Sequence, residues 1–195
     1  MTAESRREPA ADSDAELMVR FQQGERECFD LLFQKYRRPL VSFTFRFAGR
    51  RDVAEELAQD IVGKCYRAAS SYQPQARFSS WLFRIARNHC LNALRRGEHR
   101  AAVAVLDEGS QAAAGSSPEA EAEGRDMQRL VNEALAALPE KQRTALVLAR
   151  LQHMPYEEIA AAMETSVSAV KSLLNRARRQ LLARIGPHLG ASHEM

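Results

Sequence analysis

Near the middle of the chain the run Gly109-Ser110-Gln111-Ala112-Ala113-Ala114-Gly115-Ser116-Ser117-Pro118 has no apolar period. A stretch of that kind cannot bury enough surface to offset the entropy lost on ordering it, so it reads as a flexible linker. The chain is thereby divided before any helix is drawn. A first body over residues 13–100 and a second over 126–185 flank a linker at 101–125, with tails at 1–12 and 186–195. Each body has the size of a small domain.

Nine Gly and seven Pro are few for 195 residues, while Ala, Leu, Arg and Glu recur throughout. That balance favours helices over a strand-rich sandwich, and the expected fold is all-α: two small helical domains joined by a flexible acidic linker. Cys28, Cys65 and Cys90 are odd in number and far apart, with no Cys-x-x-Cys or His-x-x-His pair. We therefore expect small apolar residues at these positions and neither a disulfide framework nor a metal site. His89, His99, His153, His188 and His193 are scattered, and neither a Gly-rich phosphate loop nor a Ser/His/Asp constellation is evident. The expectation is a chain that is no enzyme, with no cofactor and no small-molecule substrate. No stretch approaches the roughly 18 uncharged apolar residues of a membrane helix, so no direct membrane insertion is expected. Glu4, Arg6, Arg7 and Glu8 interrupt any signal-peptide core, which points to a cytoplasmic protein.

The net charge of +3 hides a partition. Residues 1–16 carry five acidic groups against two arginines, and residues 101–126 carry six against one, net charges of −3 and −5. The remainder holds +11. Two basic bodies with acidic tethers suit a polyanionic partner.

In the first body Ser13-Asp14-Ala15-Glu16 fits a capping box opening a helix to about Gln23. Phe29, Leu32, Phe33, Tyr36, Leu40 and Phe43 recur at spacings of three and four, predicting a second helix over 25–47 that ends before Gly49. Asp52 is the expected cap of a third, with Val53, Leu57, Ile61, Val62 and Cys65 on its buried face. A polar stretch, Ser70 to Arg77, precedes a fourth helix expected from Trp81 to Arg96 with Ser79 or Ser80 as its cap. At 100° per residue its Leu82, Ile85, Ala86, Cys90 and Ala93 cluster opposite Arg84, Asn88 and Arg95, flanked by Arg87. A basic, amide-bearing face projects away from the core.

In the second body Leu130, Ala134 and Leu138 mark one helix, and Pro139 suits the first turn of the next. Tyr156 to Met163 forms a short helix. After Glu164-Thr165, Ser166 caps a longer one with a buried stripe at Val167, Val170, Leu174, Ala177, Leu181 and Ile185. The long helix carries Lys171, Arg176, Arg178, Arg179 and Arg184 with no acid among them, so the pair reads as a helix-turn-helix. Its N-terminal turns would enter the major groove. There Lys171 and Arg176 reach phosphates or guanine edges, and Ser168, Ser172 and Asn175 hydrogen-bond bases or backbone.

Four sets of residues in this order carry a resemblance. They are Asp52-Val53-Ala54-Glu55-Glu56-Leu57-Ala58-Gln59-Asp60 and Phe78-Ser79-Ser80-Trp81-Leu82-Phe83-Arg84-Ile85-Ala86-Arg87-Asn88 in the first body, then Leu138-Pro139-Glu140-Lys141-Gln142-Arg143 and Tyr156-Glu157-Glu158-Ile159-Ala160 with Val170-Lys171-Ser172 and Arg176-Ala177-Arg178 in the second. The chain resembles the bacterial RNA polymerase sigma factors of the extracytoplasmic-function (ECF) group in the sigma-70 family, which keep only regions two and four. The resemblance implies a transcription initiation factor that binds core RNA polymerase and promoter DNA, and whose activity an anti-sigma factor restrains.

Carried over by position, Glu55, Glu56, Gln59 and Asp60 would face the polymerase clamp helices. The loop Ser71 to Phe78 would hold a flipped base of the minus-ten element. Opening a duplex needs a π-face, amides and cations, which Tyr72, Gln73, Gln75, Arg77 and Phe78 would supply together with Arg84, Asn88 and Arg95. For Trp81 and Phe83 the family position implies a duplex-side role, yet a Trp at a helix start suits a core anchor, and we read both as core. Arg150, Ser168, Lys171, Ser172, Asn175 and Arg176 would read the minus-thirty-five element as duplex.

The chain departs from the family pattern at Ser168-Ala169, where Gly-Thr is common, at Leu173 in place of Arg, and at Asn92 in place of Asp. Glu164 stands where the turn often has Gly, which implies either an altered turn or a non-Gly residue with positive φ. The competing reading is a conventional helix-turn-helix regulator with an N-terminal sensing or dimerisation domain. It leaves Phe78 to Asn88 without a role.

Overall fold

A computed structural model describes residues 13–96, 127 and 129–190. The expected tail at 1–12, the linker at 101–125 and residues 191–195 lie outside the described residues. The described residues form helices and no strand: α1 Ser13–Gln22, α2 Arg26–Ala48, α3 Arg51–Ala68, α4 Phe78–Arg96, α5 over 129–136, α6 Glu140–Leu151, α7 Tyr156–Met163 and α8 Val167–Gly190.

The first body is built on α2. Its Phe29, Leu32, Phe33, Leu40 and Phe43 are buried as their spacing predicts, and Phe47 joins them. Each such side chain contributes about 1.5–3 kcal/mol of apolar transfer. Gly49 ends the helix in the left-handed region at φ 70°, its amide donating to the Phe45 carbonyl at 2.9 Å. Pro39 lies inside α2, where it cannot donate back to the preceding turn. The buried Thr44 hydroxyl stitches α2 to α3, standing 2.8 Å from the Ala54 carbonyl.

Three helix starts differ from expectation. In α1, Glu16 is exposed while Asp14 turns inward, accepting from Lys35 Nζ at 2.6 Å and from the Tyr36 hydroxyl at 2.8 Å, so the acid ties α1 to α2. Arg50, extended at φ −131° and ψ 139°, caps α3 in place of Asp52, whose carboxylate pairs with the Arg50 guanidinium. That neighbour also holds the Asp52 carboxyl below its usual range. α4 begins at Phe78, three residues before Trp81. The reason is aromatic packing: Phe78 meets Tyr36, Phe33, Tyr72 and Trp81 at centroid distances of 5.3–6.3 Å. That burial draws the first turn into the core. Trp81 and Phe83 are core residues, as read from the sequence.

In the second body α6, α7 and α8 pack on one another. Pro139 caps α6 from just outside, with φ −52° and ψ 140°, one step before the first turn expected for it. The turn between α7 and α8 places Glu164 at φ 53° and ψ 50°, the positive-φ alternative for a residue where Gly is common. Ser166 Oγ accepts from the Ala169 amide at 3.2 Å, the capping bond foreseen for α8. Val170, Leu174 and Ala177 are buried, whereas Val167, Leu181 and Ile185 are half-buried, and α8 continues through Pro187 beyond its expected end.

The two bodies are not held apart. α4 packs against α7 and α2 against α6, and the buried apolar residues of both bodies form a single continuous cluster. Across the seam Arg143 places its guanidinium 4.9 Å from the Phe47 ring centroid, and Gln152 Nε2 donates to the Pro39 carbonyl at 3.2 Å. Burial pushes the Arg143 pKa below its ordinary value.

Candidate nucleic-acid interface

In the second body five of the residues expected to read duplex DNA lie on the outer face of α8. With Val170, Leu174 and Ala177 turned inward, the helical period turns Ser168, Lys171, Ser172, Asn175 and Arg176 outward, and all five are exposed. Among the described residues no carboxylate forms an ion pair with Lys171 or Arg176. Arg150 is exposed at the end of α6, beside an apolar groove of about 550 Å³ lined by Leu135, Leu146, Val147, Leu181 and Leu182. Arg178, Leu181 and Leu182, late in α8, line the same groove.

The first body divides its expected residues. Gln73, Gln75, Asn88 and Arg95 are exposed. Tyr72 and Phe78, expected to meet DNA, are buried instead. The Tyr72 hydroxyl donates to the Ala76 carbonyl at 2.7 Å, and its ring packs on Phe78 and Trp81. Gln22 Nε2 donates to the Ala69 and Tyr72 carbonyls at 2.8 and 3.0 Å, pinning the entry to the loop. Aromatic area outweighs one hydroxyl here, so both rings form the floor beneath the loop and leave its polar residues on top.

Arg84 and Asn88 share one stripe of α4, because a spacing of four returns to nearly the same helical angle, and Arg77 stands just before its first turn. Acids of the second body meet them. Arg77 pairs with Glu158 at 3.2 Å, Arg84 with Glu164 at 3.7 Å, and the neighbouring Arg87 with Glu140 at 3.8 Å. Glu158 also accepts from Ser79 Oγ at 2.7 Å, and its main-chain carbonyl accepts from Ser80 Oγ at 3.2 Å. Sequence reasoning missed these acids and Ser79. The partners lie 53 to 81 positions apart, and the local hints were acidic first turns on α6 and α7 within an otherwise basic body.

The α3 surface gathers Glu55, Glu56, Gln59 and Asp60, all exposed. Glu55 and Gln59 border a groove of about 470 Å³ between α2 and α3, with Phe33, Leu40 and Val62 as apolar walls and Arg37 at the rim. Arg51 holds Glu55 at 3.1 Å along the helix. Asp60 approaches the buried ring of His89 on α4, Oδ2 to Nε2 at 3.4 Å. Burial, then the Lys64 charge, push the His89 pKa below its ordinary value against the pull of Asp60. Cys28, Cys65 and Cys90 are all buried, and burial pushes the Cys65 and Cys90 thiols up to about 12. Among the described residues no group of three or more His, Cys, Asp or Glu is placed to hold a metal ion, and no helix is long and apolar enough to cross a membrane.

Known proteins share this arrangement. Residues 32–100 match the sigma-70 region 2 family and residues 128–181 the sigma-70 region 4 family. The chain is 31% identical over 183 residues to the ECF RNA polymerase sigma-E factor of Haemophilus influenzae, covering 90% of this chain and 96% of that one. It is 32% identical over 186 residues to the RNA polymerase sigma-H factor of Pseudomonas aeruginosa, covering 91% and 96%. Among solved structures, the sigma factor RpoE bound to the anti-sigma factor NepR from Bartonella quintana superposes with a TM-score of 0.63 at 26% identity, over 81% of this chain and 96% of that one. CnrH in complex with the cytosolic domain of CnrY shares the fold at 23% identity and a TM-score of 0.69, over 90% and 99%. Two bodies matching regions 2 and 4 in order, with relatives aligned from end to end, mean that this chain belongs to the ECF group of the sigma-70 family.

Proposed function

We propose that the protein binds core RNA polymerase and directs it to promoters, the first body recognising and melting the minus-ten element and the second reading the minus-thirty-five element as duplex. The observation that carries this reading is the exposed outer face of α8, where among the described residues no carboxylate meets Lys171 or Arg176, on a chain whose two bodies match regions 2 and 4. Lys171 and Arg176 serve as phosphate or guanine contacts, Ser168, Ser172 and Asn175 as hydrogen-bonding groups, and Arg150 as a backbone contact. On the first body Gln73, Gln75 and Asn88 offer amides to an unstacked base, and Arg77, Arg84 and Arg95 offer cations to the strand. Tyr72 and Phe78 support this surface from below.

Core polymerase is received on the α3 groove, where Glu55, Glu56, Gln59 and Asp60 suit a basic helical partner around an apolar seat. The protein acts in the cytoplasm, where the polymerase is, and acts by binding, without catalysis of its own. An anti-sigma factor is the natural regulator, since the neighbours RpoE and CnrH are described in complexes of this kind or with a partner's cytosolic domain.

The test is transcription in vitro with purified core polymerase, followed by sequencing of RNA start sites. Cognate initiation is expected, with Asn88→Ala impairing promoter opening more than closed-complex binding. Sequence-specific binding as a free dimer, with no effect on added core polymerase, would sink this reading in favour of the conventional regulator.

A further inference from the structure

The groove beside Arg150 is apolar and open. α5 contributes Val131 and Leu135 to it, α6 contributes Leu146 and Val147, and the late part of α8 contributes Leu181 and Leu182. Leu182 is 65% exposed, more than any other exposed large hydrophobic side chain among the described residues. At about 550 Å³ the groove has the size of a seat for an apolar ligand. Arg150 and Arg178, both exposed, border it, and among the described residues no carboxylate forms an ion pair with either. A surface that is apolar in the middle and basic at its edge fits an aliphatic run that ends in carboxylates.

The chain carries one such run between its two bodies. Ala101-Ala102-Val103-Ala104-Val105-Leu106 is followed directly by Asp107 and Glu108. From Gly109 through Arg125 every residue is Gly, Ser, Gln, Ala, Pro, Glu or Arg, so the branched aliphatic side chains of the expected linker are confined to this run. Its connections lead to the walls of the groove. Residues 107–128 join it to α5, and residues 97–100 join it to α4, which meets α6 where Arg87 pairs with Glu140 at 3.8 Å. Binding within one chain proceeds at an effective concentration on the order of millimolar, so a modest apolar fit suffices.

We propose that residues 101–106 seat in the groove between α5, α6 and α8, with Asp107 and Glu108 facing Arg150 and Arg178. A separate partner takes the groove only by displacing the run, and its affinity for the free chain falls by the fraction of molecules in which the run is seated. This docking goes beyond the proposed function and does not depend on it.

The test reads thiol reactivity in the full chain, whose native cysteines are buried. The thiol of Val105→Cys should react with a soluble disulfide reagent about tenfold more slowly than that of Ser116→Cys, as when the effective concentration exceeds the dissociation constant by that factor. Leu182→Asp, at an exposed position, should abolish the difference, and Arg178→Glu should reduce it by about twofold. From the other side, the thiol of Leu182→Cys should be shielded and Val103→Asp should uncover it, a result that holds even if Leu182→Asp fails to fold. Circular dichroism melting establishes which variants are folded. Equal reactivity at positions 105 and 116 overturns the proposal, as does shielding at 105 that survives in folded Leu182→Asp. Shielding that rises with protein concentration, together with a dimer's mass in analytical ultracentrifugation, assigns the groove to a second copy and overturns it as well. Shielding at position 182 that is absent in the free chain and appears only with core RNA polymerase does the same, and leaves the proposed function standing.

Discussion

The α4 face and the α8 face are made alike and end up in opposite states. Each is the polar side of an amphipathic helix, with arginines and amide or hydroxyl groups set opposite a buried apolar stripe. On α8 the cations remain in water, whereas on α4 three arginines or their flanking residue are met by acids from a distant part of the chain. A helix therefore sets which residues form its polar face, but its packing partners decide whether that face is available. α7 explains the asymmetry. Its buried Ile159, Ala162 and Met163 serve the core, while Glu158 and the following Glu164 point their charge at α4 rather than at α8.

The largest effect should come from removing the platform of one face. Leu174→Ala empties a buried site beneath α8 and should cost about 2–5 kcal/mol in urea unfolding. If the two bodies unfold in separate steps, only the region 4 step should shift. If the shared core makes them cooperative, the whole transition moves. Next in size, Arg176→Ala should weaken duplex binding by about 1–3 kcal/mol in the free chain and in holoenzyme alike. Arg84→Ala should leave free-chain duplex affinity unchanged and reduce open-complex formation only with core polymerase. Equal effects of both substitutions in both assays would erase the distinction between an open and a covered face.

A smaller gain is expected at the turn. Glu164→Gly relieves a non-Gly residue of its left-handed backbone and should raise stability by up to about 1 kcal/mol, read as a higher melting temperature, with the exposed Arg84 pair lost at little cost. The smallest effect concerns pH. His89 has a folded-state pKa below its ordinary 6.5, so the neutral ring is the one the fold accommodates. Stability should be fully present above about pH 6.5 and decline as pH falls through the lower folded value, with Lys64 and Arg96 opposing protonation and Asp60 favouring it. Urea midpoints at pH 7.5 and 5 should differ less in His89→Gln than in the wild type.

Much of this was legible in the sequence because it is local. The three-four spacing of Phe29, Leu32, Phe33, Leu40 and Phe43, the Ser166 cap and the core placement of Trp81 and Phe83 follow from period and propensity. Glu164 at positive φ was one of two outcomes its position allowed. Tyr72 and Phe78 were misassigned to the surface because their types suit base stacking, and only the neighbouring Tyr36, Phe33 and Trp81 rings show that a core claims them. Asp52 matched a cap by type but found a stronger partner two residues away in Arg50. The acids that meet α4 were illegible for a different reason. Long-range charge pairing has no period, and many acidic positions would satisfy the same arginines.

The unbroken apolar cluster running through both bodies ties the lifetime of the factor to its employment. Each body, once parted from the other, exposes nonpolar surface that its counterpart had sheltered and loses the protection against local opening that this shelter gave. A partner that covered the same surface would restore that shelter. A chain that is neither closed on itself nor held by a partner is the form most open to proteases. Turnover would then remove the factor in its unengaged, parted state, and the size of its working pool would follow the number of partners able to hold it.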